Sequence, residues 1–209
     1  MFIIHRFILR RMGVQKQILD AADRRFADYS YNKTTMAEIA SDCDMSVGNL
    51  YRHFKNKEAI AVATMQRKLQ AKLEAGIGAA ESQKDALNGL SAFLLTRLRL
   101  GHAYFADTRH LFDMMALINS RHRDLLLAFE ERVIEALTSI IERGIRQGRF
   151  HTDNPAQTAY DIHQATLRYN NPVNLKHNEL GLLESDLQRL ISLLHLGLAP
   201  RQNTNGGTS

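Results

Sequence analysis

Three side chains that start helices, Thr35, Ser46 and Asn56, fall within residues 34–57. Their spacing constrains the chain more than any other feature, because it leaves room only for short helices joined by tight turns. Thr35-x-x-Glu38 is a capping box: the Thr35 hydroxyl accepts from the third helical amide while Glu38 reaches back to the cap. A helix is therefore expected from Met36 to about Asp42, with Met36, Ile39, Ala40 and Cys43 on its inner face. Cys43-Asp44-Met45 makes a tight connection, Ser46 caps a helix from Val47 to about His53, and Asn56 caps a longer one from Lys57 toward Ala75 or Ala80. Upstream, Ile18, Leu19, Ala22 and Phe26 recur at helical spacing and predict a first helix from about Arg11 to Asp28, broken by Tyr29–Lys33.

Short helices with a tight turn between the second and third define a helix-turn-helix, whose last helix enters the major groove. Met45, Leu50 and Phe54 are the expected inward residues of that helix, and Val47, Gly48, Asn49, Arg52 and His53 the outward ones. Asn49 can pair with an adenine edge, Val47 can touch a thymine methyl, and Gly48 lets backbone approach the groove. Tyr51, His53, Lys55 and Lys57 are suited to donate to phosphate, and helix starts add dipole-assisted phosphate sites.

The runs Thr34-Thr35-Met36-Ala37-Glu38-Ile39-Ala40 and Met45-Ser46-Val47-Gly48-Asn49-Leu50-Tyr51-Arg52-His53-Phe54-Lys55-Asn56-Lys57-Glu58 resemble the TetR family of bacterial repressors. The closing Leu-Tyr-x-His-Phe-x-Asn-Lys is specific to it, and the resemblance covers roughly residues 14–62. It implies an all-α fold: an N-terminal three-helix DNA-binding domain and a larger C-terminal helical domain for ligand binding and dimerisation. By position it implies phosphate contacts from Thr34 and Thr35, a DNA-facing place for Ala37, base contacts from Val47, Gly48 and Asn49, and phosphate contacts from Tyr51, His53 and Lys57. Ala37 stands where many members present a longer side chain. Asp44 departs from the family's usual turn glycine, and Asp tolerates a left-handed conformation better than most residues.

The remaining chain reads as helical throughout. Only three prolines and no tryptophan occur among 209 residues, 44% of which are hydrophobic. The net charge of +5 suits a polyanionic partner without specifying one. A single cysteine, Cys43, excludes an intramolecular disulfide framework and fits a reducing compartment. Residues 1–11 are apolar with interspersed His and Arg, and read as an arm or an extension of the first helix. No run approaches the ~20 apolar residues of a membrane span, and a cytoplasmic protein is expected. Gly76–Lys84 is taken as a hinge. The expected organisation is an arm and DNA-binding domain over 1–56, a connecting helix over 57–80, a ligand-binding and dimerisation domain over 81–200, and a disordered tail over 201–209. Within the third part, helices are expected over Asp85–Gly101, Ala106–Asn119, about Arg121 to Gln147, Pro155 to about Tyr169, and about Leu182 to Leu198.

Apolar residues cover more than one face of the last two helices, which implies burial on two sides and a homodimer through them. Tyr104, Phe105, His110, Phe112, Met114, Met115, Ile118 and His163, together with Phe93, are candidate walls for a small-molecule effector, since Met and aromatic side chains make adaptable apolar surfaces. Membership of an ordinary core is the competing reading for each. Arg97 and Arg99 could pair with an anionic ligand, although arginines on helices commonly face solvent. No cofactor or metal is expected: His-Glu-x-x-His, Gly-Lys-Ser/Thr and Gly-x-Gly-x-x-Gly motifs are missing, and a His102–His110–His163 site has no supporting spacing. Three functions stay open at this point: a ligand-responsive dimeric repressor that is not an enzyme, an architectural DNA binder, and a helical enzyme with an incidental basic segment.

Overall fold

The structure, a computed structural model, describes the backbone of residues 2–106 and 111–199 and the side chains of 12–105 and 112–199. Every element in these segments is helical: α1 (Phe2–Tyr29), α2 (Met36–Asp42), α3 (Val47–His53), α4 (Lys57–Glu81), α5 (Ala86–Ala106), α6 (Leu111–Arg121), α7 (Arg123–Arg146), α8 (Pro155–Thr166), a 3-10 turn (Leu167–Asn170), α9 (Pro172–His177) and α10 (Leu180–Leu198). Their ends follow local chemistry. Asn154 caps α8 by accepting from Gln157 N at 3.0 Å, ahead of Pro155, whose missing N–H costs nothing in a first turn. Gly148, at φ 65°, closes α7 in the left-handed conformation that glycine adopts without strain.

Packing divides the chain into two compact units. The first comprises Met1–Gln70 with Asp107–Leu127, and the second Ala71–Ala106 with Ala128–Ser209. In the first, Ile18, Ala22 and Phe26 of α1, Ile39 and Ala40 of α2, Leu50 of α3, Ile60 and Met65 of α4, and Met114 and Ile118 of α6 are all buried. Full burial of one of the larger of these side chains contributes roughly 1.5–3 kcal/mol. Ion pairs stitch α4 to α1 at the rim, Arg67 to Asp20 and Lys68 to Asp23, each at 2.6 Å. In the second unit α5 packs against α9, α10 and the 3-10 turn. Leu183, Leu187 and Ile191, four residues apart on α10, form its inward face.

The structure corrects several expectations. The first helix extends back to Phe2, so residues 2–11 extend α1. Of Gly76–Lys84, expected as a hinge, the residues through Glu81 continue α4, and the break before α5 falls at residues 82–85. The segment around α6, expected in the larger C-terminal part, packs with the first unit. Asn171-Pro172 does more than stop the preceding helix: Asn171 caps α9, accepting from Val173 N at 3.0 Å, and Pro172 opens it. The expected tail, 201–209, and His110 lie outside the described residues.

Candidate functional site

The turn between α2 and α3 is built from short-range bonds. Thr35 Oγ1 accepts from Glu38 N at 3.3 Å, and Thr35 N donates to Glu38 Oε2 at 2.8 Å, completing the capping box. Asp44 adopts φ 51°, the left-handed conformation that its place in the turn demands. Ser46 Oγ accepts from Asn49 N at 3.2 Å and starts α3. Gln17 of α1 donates to the Cys43 carbonyl at 3.0 Å and ties the turn to the first helix. Arg25 grips Asp42 with two bonds, at 2.5 and 3.0 Å, and reaches Glu38 at 3.3 Å. The Thr35 hydroxyl and amide hold the Glu38 carboxyl below the usual range, and the Arg25 guanidinium does the same to Asp42. Neither Gln17 nor Arg25 stood out in the sequence, since each acts on a partner 17 or 26 residues away.

Leu50 is fully buried and fixes the inward side of α3. Val47, Gly48, Tyr51 and Arg52 are exposed and Asn49 is half-buried on that outer side. Lys55, just past α3, and Thr35 and Ala37, at the start of α2, are exposed as well. This is a surface on which backbone, an amide, a methyl pair, a phenol and two cations are open to a partner. Met45 and Phe54 are half-buried and flank Leu50 as expected.

Three residues are placed differently from the expectation. The Lys57 ammonium turns inward and donates to the carbonyls of Tyr31 at 2.7 Å, Thr34 at 2.8 Å and Asn32 at 3.5 Å. It also lies 4.3 Å from the centre of the Tyr31 ring, and partial burial pulls its pKa down. An ammonium has three protons, and all are spent on the loop between α1 and α2, so Lys57 is a clamp rather than a free phosphate donor. Thr34 is buried and its hydroxyl donates to the Ser30 carbonyl at 2.8 Å, which leaves no side-chain donor for phosphate. His53 is half-buried, with Nδ1 enclosed and unpartnered.

A second junction of the first unit adjoins this clamp. Glu58, beside Lys57, accepts from His122 Nε2 at 2.8 Å and from Arg121 Nη1 at 3.1 Å, and these bonds, His122 first, hold its carboxyl below the ordinary range. The end of α6 and the start of α7 are thereby fastened to the first turn of α4.

The candidate effector walls separate between the units. Met114 and Ile118 are buried in the first, where α6 packs on α1, Met115 is half-buried and Phe112 is 40% exposed. Phe93, Tyr104, Phe105 and His163 belong to the second; the Tyr104 and Phe105 rings meet edge to face at 5.1 Å. Arg99 is exposed and paired with Glu184 at 2.5 Å, whereas Arg97 is buried. Among the described residues no cluster of three metal-ligating side chains occurs, and no helix is long and apolar enough to cross a membrane. His102 instead bonds the Asn178 carbonyl at 3.1 Å.

Comparison with known proteins agrees with this architecture. The family described as bacterial regulatory proteins of the tetR family matches residues 18–64, and the tetracyclin repressor-like C-terminal domain matches residues 86–191. The HTH-type transcriptional regulator YhgD of Bacillus subtilis, itself uncharacterized, is 26% identical over 70% of this chain and 76% of its own. The HTH-type transcriptional repressor Rv1474c of Mycobacterium tuberculosis is 33% identical over 41% of this chain and 48% of its own. A TetR-family structure from Mesorhizobium loti superposes with a TM-score of 0.74 at 16% identity, covering 91% of this chain and 99% of that one. FadR of Bacillus subtilis, solved with stearoyl-CoA, superposes with a TM-score of 0.63 at 20% identity, covering 88% of this chain and 98% of that one. These relatives are regulators rather than enzymes. With both family domains in order and the recognition helix exposed, the chain belongs to the TetR family and is a DNA-binding transcriptional regulator.

Proposed function

We propose that the protein is a repressor that binds a palindromic operator as a homodimer and leaves it when a small molecule binds the second unit. The observation that carries the DNA reading is the outer face of α3, with Val47, Gly48 and Asn49 open to base edges beside Tyr51, Arg52 and Lys55. On this reading Asn49 reads bases, and Tyr51, Arg52, Lys55 and the exposed helix start at Thr35 and Ala37 grip phosphate.

The dimer reading rests on apolar residues left open on the last helices. Tyr160 of α8 is 46% exposed, and Leu182, Leu193 and Leu196 of α10 are 62, 66 and 76% exposed, while Leu183, Leu187 and Ile191 fill the opposite side. Leucines exposed on one face of a helix whose other face is already buried are suited to a second copy. Two recognition helices ~34 Å apart would then enter successive major grooves. Effector coupling is supported by α4, whose residues belong to the first unit up to Gln70 and to the second from Ala71. A ligand that binds one arrangement of the dimer better than another shifts the population by that differential affinity. The stearoyl-CoA held by the FadR neighbour supports a helical domain of this kind as a ligand site.

Selection of bound duplexes from genomic fragments, with light scattering on the same preparation, tests the reading. Enriched sites with two inverted half-sites and a dimeric mass support it. Asymmetric or unselective binding contradicts the operator reading, and a monomer at micromolar concentration contradicts the dimer.

A further inference from the structure

Among the described residues, the second unit holds a buried arginine and a half-buried lysine without an acidic partner. Arg97, on the inner face of α5, is 2% exposed, and its Nε and Nη1 have no hydrogen-bond partner. Its side chain lies against two surfaces. One is the Phe93 ring, 5.2 Å from the guanidinium carbon; the other is Gly76 of α4, where a Cβ would stand only 3.0 Å from Arg97 Cγ. One turn along α5, Gly101 makes room for Lys72 from α4: a Cβ on Gly101 would lie 3.2 Å from Lys72 Nζ and 3.0 Å from Leu175 Cδ1. His163 of α8 is 4% exposed, and neither ring nitrogen has a partner. The Arg97 charge bears on both Lys72 and His163.

No carboxylate bears on any of the three among the described residues. Burial pulls Lys72 down to about 7, Arg97 to about 10 and His163 to about 4, so near neutral pH the imidazole is uncharged and can donate one N–H. Buried charges in proteins are ordinarily paired, and a Met or Leu would fill the place of Arg97 without the desolvation cost. Gly76 lets the Arg97 stem, and Gly101 the Lys72 ammonium end, lie close to backbone. Arg97 and Lys72 lie along α5 beside the apolar Phe93 and Leu175, and the Arg97 charge reaches His163 of α8.

We propose that this cluster is an oxyanion site: Arg97 and Lys72 take the head group of an amphipathic organic anion, His163 donates to it, and its apolar part runs along Phe93 and Leu175. That this anion is the effector rests on the ligand-released repressor reading above; the binding site itself does not. The guanidinium offers a planar pair of donors that matches two oxygens of a carboxylate or a phosphate ester, and the ammonium adds a third.

The test uses the full chain at fixed ionic strength, with octanoate, octyl phosphate, octanamide and inorganic phosphate as probes in calorimetric titration. Octanoate or octyl phosphate should bind at least tenfold more tightly than octanamide, and the stronger of the two identifies the head group. Both Arg97→Met and Lys72→Met should lose that preference, and Arg97→Met should melt no lower than the parent, since it removes an uncompensated buried charge. On binding, the Lys72 side-chain resonance should titrate at higher pH. Equal binding of acid and amide, no binding by any probe, or an undiminished preference in both variants overturns the proposal. Anion binding at Arg97 that leaves DNA affinity unmoved would keep the site and refute the effector reading. DNA release by an uncharged compound, unaffected by Arg97→Met, would do the reverse.

Discussion

Replacing Lys57 with Met separates two jobs that a lysine at this position could do. The methionine keeps the stem and removes the ammonium, which donates to Tyr31 O at 2.7 Å and Thr34 O at 2.8 Å and lies 4.3 Å from the Tyr31 ring centre. Charge-assisted hydrogen bonds are worth about 1.5–3 kcal/mol each, and a cation over a ring adds ~0.5–1 kcal/mol. Water can reach part of this loop, and the parent lysine already bears a desolvation cost, so a net loss of about 2 kcal/mol is expected. In a chain of this size that lowers Tm by roughly 4–8 °C. The same variant should leave the salt dependence of DNA binding unchanged, because each phosphate neutralised contributes about 0.9 to the slope of log K against log salt and Lys57 neutralises none. Lys55→Met, at an exposed position, should do the opposite: an unchanged Tm and a slope shallower by about 0.9 per protomer, or about 1.8 for a dimer on both half-sites. The assays are thermal melting at one protein concentration and fluorescence anisotropy across a salt series. If Lys57→Met melts within about 1 °C of the parent and its slope falls by about 0.9 per bound protomer, the inward clamp is refuted and Lys57 is a phosphate donor.

Three further outcomes are expected. Gly48→Ala meets no heavy atom within 4 Å, so it should raise stability by up to about 1 kcal/mol while weakening DNA binding several-fold, because on the proposed docking its methyl would stand toward the bases; unchanged affinity in an anisotropy titration would contradict a groove-facing Gly48. Leu50→Ala, at a fully buried site, should cost about 2–5 kcal/mol in denaturant unfolding, and a loss under ~1 kcal/mol would contradict its place in the core. Glu58→Gln concerns pH: the Glu58 carboxyl is held low by His122 first, so its stabilising effect is present above the ordinary carboxylate pKa and is lost as pH falls through its depressed value. The variant should therefore lose less stability than the parent between neutral pH and about pH 3 in melting series, and parallel curves would contradict the latch.

Legibility in the sequence followed the range of the interactions. Thr35, Ser46, Asn56 and Asn154 each act on the amide three residues on, and the helices they start are where their spacing predicts. Asp44 likewise declares its left-handed turn by type and position. Asn171-Pro172 carries the same start signal as Asn154-Pro155, yet it also ends the helix before it, and α9 was hidden behind that first effect. Gly76 reads as a hinge because glycine loosens a helix alone, whereas here Arg97 and Phe93 side-chain atoms lie 3.0 to 3.2 Å from where its Cβ would stand. Lys57 and Thr34 look like phosphate donors until the loop folds over them, a contact spanning 23 residues. The burial of Arg97 had a signal in reach: Leu90, Phe93, Leu94, Leu98 and Gly101 share its stripe of α5, with Arg97 four residues after Phe93, while Arg99 lies off it. The grouping of α6 with α1 had none, since it depends on surfaces distant in sequence.

The account turns on α3 as the element that reads DNA. Its most direct test is the affinity of the full chain and of Asn49→Ala for a selected duplex and a scrambled one, across a salt series. Both proteins should show steep salt dependence and the parent a preference for the selected duplex, of which Asn49→Ala should lose about 1–3 kcal/mol with an unchanged slope. No duplex binding at low salt, or a preference that survives Asn49→Ala intact, would contradict it.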